Sequence, residues 1–228
     1  MAQQLILDLL PPPPPSLDNF VVGRNAPALD ALRQCAPGRA IYLWGPQGVG
    51  RSHLLQAVGL QASGRYLGPG TPAENLHDLA TGDTILARLV AVDDVQALDC
   101  DGQAALFALY NRWRETASTR HAFALVLAGD CAPLNAELRE DLRTRLGWDL
   151  VFRLEQLSDE ERAQALRSRS AERGLELSPE VIGWLLTHHE RDMSRLTALV
   201  DALDRYSLAR HRPITLPLLK DLLASHQP

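Results

Sequence analysis

Short apolar runs punctuate the first two thirds of the chain, at Ala40 to Trp44, Leu89 to Val92, Ala122 to Ala128 and Val151 to Leu154. Each has the length of a buried strand rather than of a helix. Between them, apolar residues recur at helical spacing: Leu54, Leu55 and Val58 follow the first run, and Leu106, Leu109, Tyr110 and Trp113 share one face of a helix predicted from about Gly102 to Ala117. Strands alternating with helices of this size predict an α/β domain built on a parallel, doubly wound sheet flanked by helices.

After Leu157 the pattern becomes wholly helical. Ser158 and Glu161 make a capping box, Gly174 supplies a helix stop, and Ser178-Pro179 opens another helix with proline in its first turn. Further helical stretches follow at about Met193 to Leu208 and Leu216 to Leu223, so the end of the chain reads as a small all-helical domain. At the other end, a leucine-rich peptide runs into Pro11 to Pro15, a stretch that extends as polyproline II by about 3.1 Å per residue. The expected organisation is a peptide and spacer over 1–16, an α/β base over 17–157 and a helical lid over 158–228.

Composition narrows the reading. A chain of 228 residues, 46% hydrophobic, has room for one good core and a smaller second one. It contains neither an apolar run of about 18 residues nor a basic segment followed by an apolar core. A cytoplasmic protein with no membrane association is expected. Cys35, Cys100 and Cys131 lack C-x-x-C spacing and read as buried free thiols, while His188-His189-Glu190 lacks the context of a metal motif and reads as an exposed helix face. A net charge of -5 gives no footprint for wrapping nucleic acid, so direct sequence-specific DNA binding is not expected.

The chemistry concentrates after the first strand. Gly45-Pro46-Gln47-Gly48-Val49-Gly50-Arg51-Ser52 fits the phosphate-binding pattern G-x-x-x-x-G-K-S/T, except that arginine replaces lysine. Loop N–H groups and the positive end of the next helix can cradle phosphates, and Ser52 can hold Mg2+. A bulky residue at position 50 is expected to block the approach of backbone to phosphate. Arginine grips phosphate oxygens well but lacks the compact charge of an ammonium, which predicts nucleotide retention with weak unaided hydrolysis. Asp93 and Asp94, at the end of the second run, look like a Walker B pair in which Asp93 positions Mg2+ and Asp94 stands where an acid orients water. Read alone, they are two solvated carboxylates at a strand end.

These boxes carry a resemblance. Phe20-Val21-Val22-Gly23-Arg24-Asn25 resembles the adenine-pocket box of the DnaA family, and Gly50-Arg51-Ser52-His53-Leu54-Leu55 resembles the arginine-containing P-loop of the Hda branch. The chain is similar over nearly its whole length to DnaA-related AAA+ proteins of that branch. The resemblance implies an AAA+ base with a helical lid, binding ADP or ATP through Val21, Val22, Gly45, Gln47, Gly48, Val49, Gly50, Arg51, Ser52 and His53, with Mg2+ on Ser52 and Asp93. Leu127-Ala128-Gly129-Asp130 resembles the sensor I strand end, which implies that Asp130 lies near the γ-phosphate. Asp141 to Leu146 resembles box VII, whose second arginine, here Arg145, acts as an arginine finger in trans; such a guanidinium must project from the surface. Read without the family, Arg139, Arg143 and Arg145 are a basic helix face.

One departure concerns the lid. The family's sensor II arginine follows a methionine or leucine, whereas Met193-Ser194-Arg195-Leu196 places arginine one step later, about 100° around a helix. Arg195 is taken as the nucleotide contact, with Arg191 as the alternative. Gln4, Leu5, Leu7 and Leu9 resemble the peptide by which Hda-type proteins hold the DNA polymerase III sliding clamp (the β clamp). The resemblance therefore implies regulatory inactivation of the initiator DnaA: a nucleotide-bound adaptor that engages the clamp and ATP-bound DnaA, self-association being compatible with that role. A DNA-reading initiator would carry a helix-turn-helix domain after the lid, which is not expected here. An autonomous ATPase or helicase loader would want a P-loop lysine, yet Lys220 is the only lysine in the sequence.

Overall fold

A computed structural model describes residues 14–61, 64–82, 87–171, 173–188 and 193–224. They divide into two compact units, residues 14–156 and the residues from 157 onward.

The first unit holds five strands, β1 (Ala40–Trp44), β2 (Arg65–Leu67), β3 (Leu89–Val92), β4 (Ala124–Gly129) and β5 (Leu150–Arg153), in the order β2-β3-β4-β1-β5. Every pairing is parallel, as the alternation of strands and helices predicts. The strands read as continuous apolar runs because both faces of the sheet are covered. Tyr42, Val90, Val92, Leu125 and Leu127 pack on one side with α3 (Ala73–Thr81), α4 (Cys100–Thr116) and α5 (Glu140–Leu146). Ile41, Leu43, Ala91, Val126 and Ala128 pack on the other with α1 (Ala26–Arg33) and α2 (Arg51–Gln61).

Helix α4 starts slightly earlier than its apolar pattern suggests, because the Asp99 carboxylate accepts the Gly102 N–H at 2.8 Å and caps it. Its buried face is the predicted one, with Leu106, Leu109, Tyr110 and Trp113 all in the core. Cys100, expected to be buried, is exposed: it is the first residue of α4, ahead of the turns that face the sheet. Cys35 and Cys131 are half-buried and free.

The regular elements among the described residues of the second unit are all helices: α6 (Asp159–Ala171), α7 (Pro179–His188), α8 (Met193–Arg210) and α9 (Leu216–Ala224). The capping box forms in both directions, with the Ser158 N–H donating to Glu161 Oε2 at 2.7 Å and the Glu161 N–H to Ser158 Oγ at 3.1 Å. Gly174 takes φ +71°, the left-handed state that ends a helix. Leu166, Val181, Leu185, Val200, Leu203 and Leu219 form the core. Asp201 is buried there, with Arg173 at 2.7 Å and Arg169 at 3.8 Å. His188 is exposed, as read from the sequence, and stacks on Trp184 with ring centroids 4.4 Å apart; His189 and Glu190 lie outside the described residues. Among the described residues, no helix is long and apolar enough to cross a membrane.

Candidate functional site

Strand order creates the site. Trp44 at the end of β1 is in register with Gly129 at the end of β4, and Val92 of β3 with Leu127 of β4. The glycine loop, Asp130 and the Asp93-Asp94 pair therefore leave the same edge of the sheet side by side, where parallel α/β sheets place their ligands.

The loop is shaped by its glycines. Gly48 and Gly50 take φ +81° and +93°, conformations that a side chain disfavours. A Cβ on Gly48 would meet no described atom within 4 Å, so the backbone there borders open space. A Cβ on Gly50 would lie 2.6 Å from Phe20 Cε2. The Phe20 ring thus constrains Gly50 in addition to its backbone conformation, a restriction separate from the approach to phosphate expected from the sequence. Gly45 is confined as well, its Cβ position being 2.7 Å from the Leu154 carbonyl oxygen, and Val49 is buried beneath the loop. Gln47 is exposed.

Segment 16–22 closes over the start of α2. His53 Nε2 is 3.0 Å from the Ser16 carbonyl oxygen and its ring lies 5.7 Å from that of Phe20. Val21 and Val22 are half-buried, and Val22 packs on the core beneath α1 and α2. Buried Asn25 fixes this segment to the chain leaving β5: its Nδ2 donates to the Glu155 carbonyl at 3.0 Å, and its Oδ1 accepts the Glu155 N–H at 2.7 Å. The predicted adenine box and phosphate loop are thereby neighbours.

Arg51, in the first turn of α2, turns toward β3. Its Nη2 is 3.2 Å from Asp94 Oδ1, with the arginine side chain only 11% exposed. Nη1 is buried without a hydrogen-bond partner among the described residues. Asp94 adopts φ 47° and ψ 53°, and its Oδ1 also accepts from Gln96 Nε2 at 3.0 Å. Asp93 is buried, with Oδ1 accepting the Asp94 N–H and Oδ2 the Tyr66 hydroxyl, each at 2.9 Å. Gln56 Nε2 donates in turn to the Tyr66 oxygen at 3.3 Å. Burial pushes the Tyr66 phenol up to about 12, so it remains a donor to Asp93.

Asp130 is exposed just beyond β4. The neighbouring Cys131 thiol is pushed up to about 11 by burial, then by Asp130 and Glu137, against the lowering influence of Arg51. The Tyr42 hydroxyl donates to the Cys131 carbonyl at 2.9 Å and fixes this strand end from below.

The loop suits a polyphosphate, since it offers open backbone at Gly48 and a buried guanidinium with an unused donor. For Mg2+, Ser52 is half-buried in the first turn of α2, and the Asp93 carboxylate, with two of its roughly four acceptor positions engaged, can still accept a ligand-bound cation.

Arg145 does not project freely. Its guanidinium lies 3.7 Å from the centroid of the Phe107 ring and 5.0 Å from that of Trp148, and Nη1 donates to Asn111 Oδ1. Arg114 covers Trp148 at 4.6 Å and Arg139 lies 5.7 Å from Phe107, so arginine and aromatic side chains alternate along the α4–α5 surface. Burial lowers the Arg145 pKa, Asp141 opposes and Arg114 reinforces that lowering; a guanidinium stays charged regardless. Arg195 is exposed on the first turn of α8. Gln4, Leu5, Leu7, Leu9 and Arg191 lie outside the described residues.

Sequence reasoning did not single out Tyr66, Gln56, Phe107, Asn111 or Trp148. Tyr66 sits on a three-residue strand too short to show a pattern, and Asn111 is 34 positions from the arginine it holds.

Residues 159–223 match the family model described as Hda, lid domain. Domain III of the Thermotoga maritima replication initiation protein DnaA superposes with a TM-score of 0.70 at 23% identity, covering 95% of this chain and 98% of that one. AMPPCP-bound DnaA from Aquifex aeolicus gives 0.64 at 23% identity, covering 90% and 71%. The Thermotoga maritima RuvB Holliday junction branch migration motor gives 0.65 at 16% identity, covering 93% and 72%, a likeness of fold alone.

Proposed function

We propose that this chain is a DnaA/Hda-related AAA+ protein, an adenine nucleotide-bound adaptor that restrains replication initiation, a reading supported by the match of residues 159–223 to the Hda lid model and by the DnaA-like fold. In this reading the base holds ADP or ATP with Mg2+, the peptide carrying Gln4, Leu5, Leu7 and Leu9 engages the sliding clamp, and Arg145 acts on ATP held by DnaA. The observation that carries the nucleotide part is the buried Arg51 guanidinium, with an unused donor, beside a loop whose Gly48 backbone is open. Phosphate oxygens supply the missing acceptors. Ser52 and Asp93 would hold the magnesium ion, which neutralises phosphate charge when bound.

Arginine at the position of the P-loop lysine favours an adaptor over an autonomous ATPase, because a guanidinium grips phosphate oxygens but lacks the compact charge of an ammonium. The α4–α5 surface supports the trans role of Arg145: several guanidiniums stand on it, and leaving the Phe107 face would carry one of them outward. An arginine finger is worth about 10³ to 10⁵ in rate. Arg145→Ala is accordingly expected to retain ADP binding while losing stimulation of DnaA-bound ATP hydrolysis by about 10³-fold or more. Deleting residues 1–10 should abolish clamp binding and leave ADP affinity intact. Rapid ATP turnover by the purified chain alone would refute the adaptor reading.

A further inference from the structure

Asp94 and a nucleotide phosphate want the same cation. The Asp94 carboxylate holds Arg51 at 3.2 Å, and that guanidinium is almost wholly buried with Nη1 still unpartnered among the described residues. The cationic residue of a P-loop is the one that reaches the terminal phosphates. Without an anion in the loop, the carboxylate keeps a buried charge from being left alone, which would be strongly unfavourable. With phosphate present, the same carboxylate is a rival acceptor and a like charge beside the ligand.

We propose that Asp94 is an affinity-determining residue that weakens nucleotide binding by competing with the terminal phosphate for Arg51. The inference rests on the nucleotide reading of the site. It opposes the alternative in which Asp94 aims Arg51 at the phosphate, because the two make opposite predictions for loss of the carboxylate charge.

Local geometry allows a clean test. Asp94 sits at φ 47°, where asparagine and glycine are both tolerated. Asp94→Asn keeps the size of the side chain and an oxygen for Gln96 Nε2, and removes only the charge. Calorimetric titration with ADP and Mg2+ should show Asp94→Asn binding about tenfold more tightly than the unaltered chain, the scale of one charged hydrogen bond. Asp94→Gly should shift affinity in the same direction. Without nucleotide, Asp94→Asn should melt at a lower temperature, and the rise produced by saturating ADP should be larger than in the unaltered chain.

In an Arg51→Gln background, read from ADP-induced melting shifts so that weak binding registers, most of the gain from Asp94→Asn should vanish. Equal or weaker ADP binding by Asp94→Asn overturns the proposal, and so does a full gain retained without Arg51. If the unaltered chain binds ADP and the variants do not differ, competition is wrong and the nucleotide reading stands. If neither the unaltered chain nor the variants bind ADP, the nucleotide reading falls and takes the proposal with it.

Discussion

Gly48 and Gly50 share a positive φ, but only Gly50 faces an obstacle, the Phe20 ring. Gly48→Ala should therefore carry the backbone strain alone, about 1 kcal/mol, whereas Gly50→Ala adds a collision with a packed aromatic and should cost about 3 kcal/mol. Urea unfolding of the two variants checks this, and equal costs would refute the Phe20 explanation. The glycines were legible in the sequence because their spacing follows the phosphate-loop pattern. The reason for Gly50 was not, since Phe20 lies on a separate segment that only the fold brings to the loop. Gly129 is similar: a Cβ there would lie 2.1 Å from the Tyr42 hydroxyl, a contact across neighbouring strands that no local pattern announces.

Between elements, legibility follows separation along the chain. The capping box of α6 was readable because its partners are three residues apart, and they bond as expected. Strand β2 was not, having only Leu67 fully buried among its three residues. Arg145 stood out through the resemblance of its segment to a family box, yet its attachment to α4 was invisible: Phe107 and Asn111 are one turn apart on that helix and far from α5 in sequence. The attachment should be measurable. A double-mutant cycle of Phe107→Leu with Arg145→Met is expected to give a coupling of about 1 kcal/mol in urea unfolding, the scale of a partly exposed cation–π contact. A coupling indistinguishable from zero would mean that the stack contributes nothing to holding α5 on α4.

Across the whole molecule, one ion pair ties the start of β1 to the start of β5. Arg39 donates to both Asp149 oxygens, at 2.8 and 2.7 Å, and the Ala40 N–H adds a third bond at 2.8 Å. The Arg39 hydrogen bond holds the Asp149 carboxyl below its ordinary pKa, burial opposes, and the Ala40 N–H reinforces the lowering. A carboxylate lowered on folding contributes stability that is complete above its unfolded pKa, about 4, and lost as the pH falls through the lower native value. Asp149→Asn should thus unfold at less urea than the unaltered chain at neutral pH, and the gap should close in acid. A gap that persists undiminished below the native pKa would assign the loss to packing instead.

The placement of reactive side chains has a practical consequence. Lys220, the sole lysine in the sequence, is exposed on α9 of the second unit, and Cys100 is exposed on α4 of the first. The Cys35 and Cys131 thiols are each pushed up to about 11, by burial above all, so neutral maleimide should modify Cys100 well before either. Once the chain's α-amino group is blocked, each unit thus carries its own orthogonal handle, the Lys220 amine on one and the Cys100 thiol on the other. A fluorescence donor on Cys100 and an acceptor on Lys220 would follow the separation of the two units as nucleotide is added, in the native sequence and without an engineered residue.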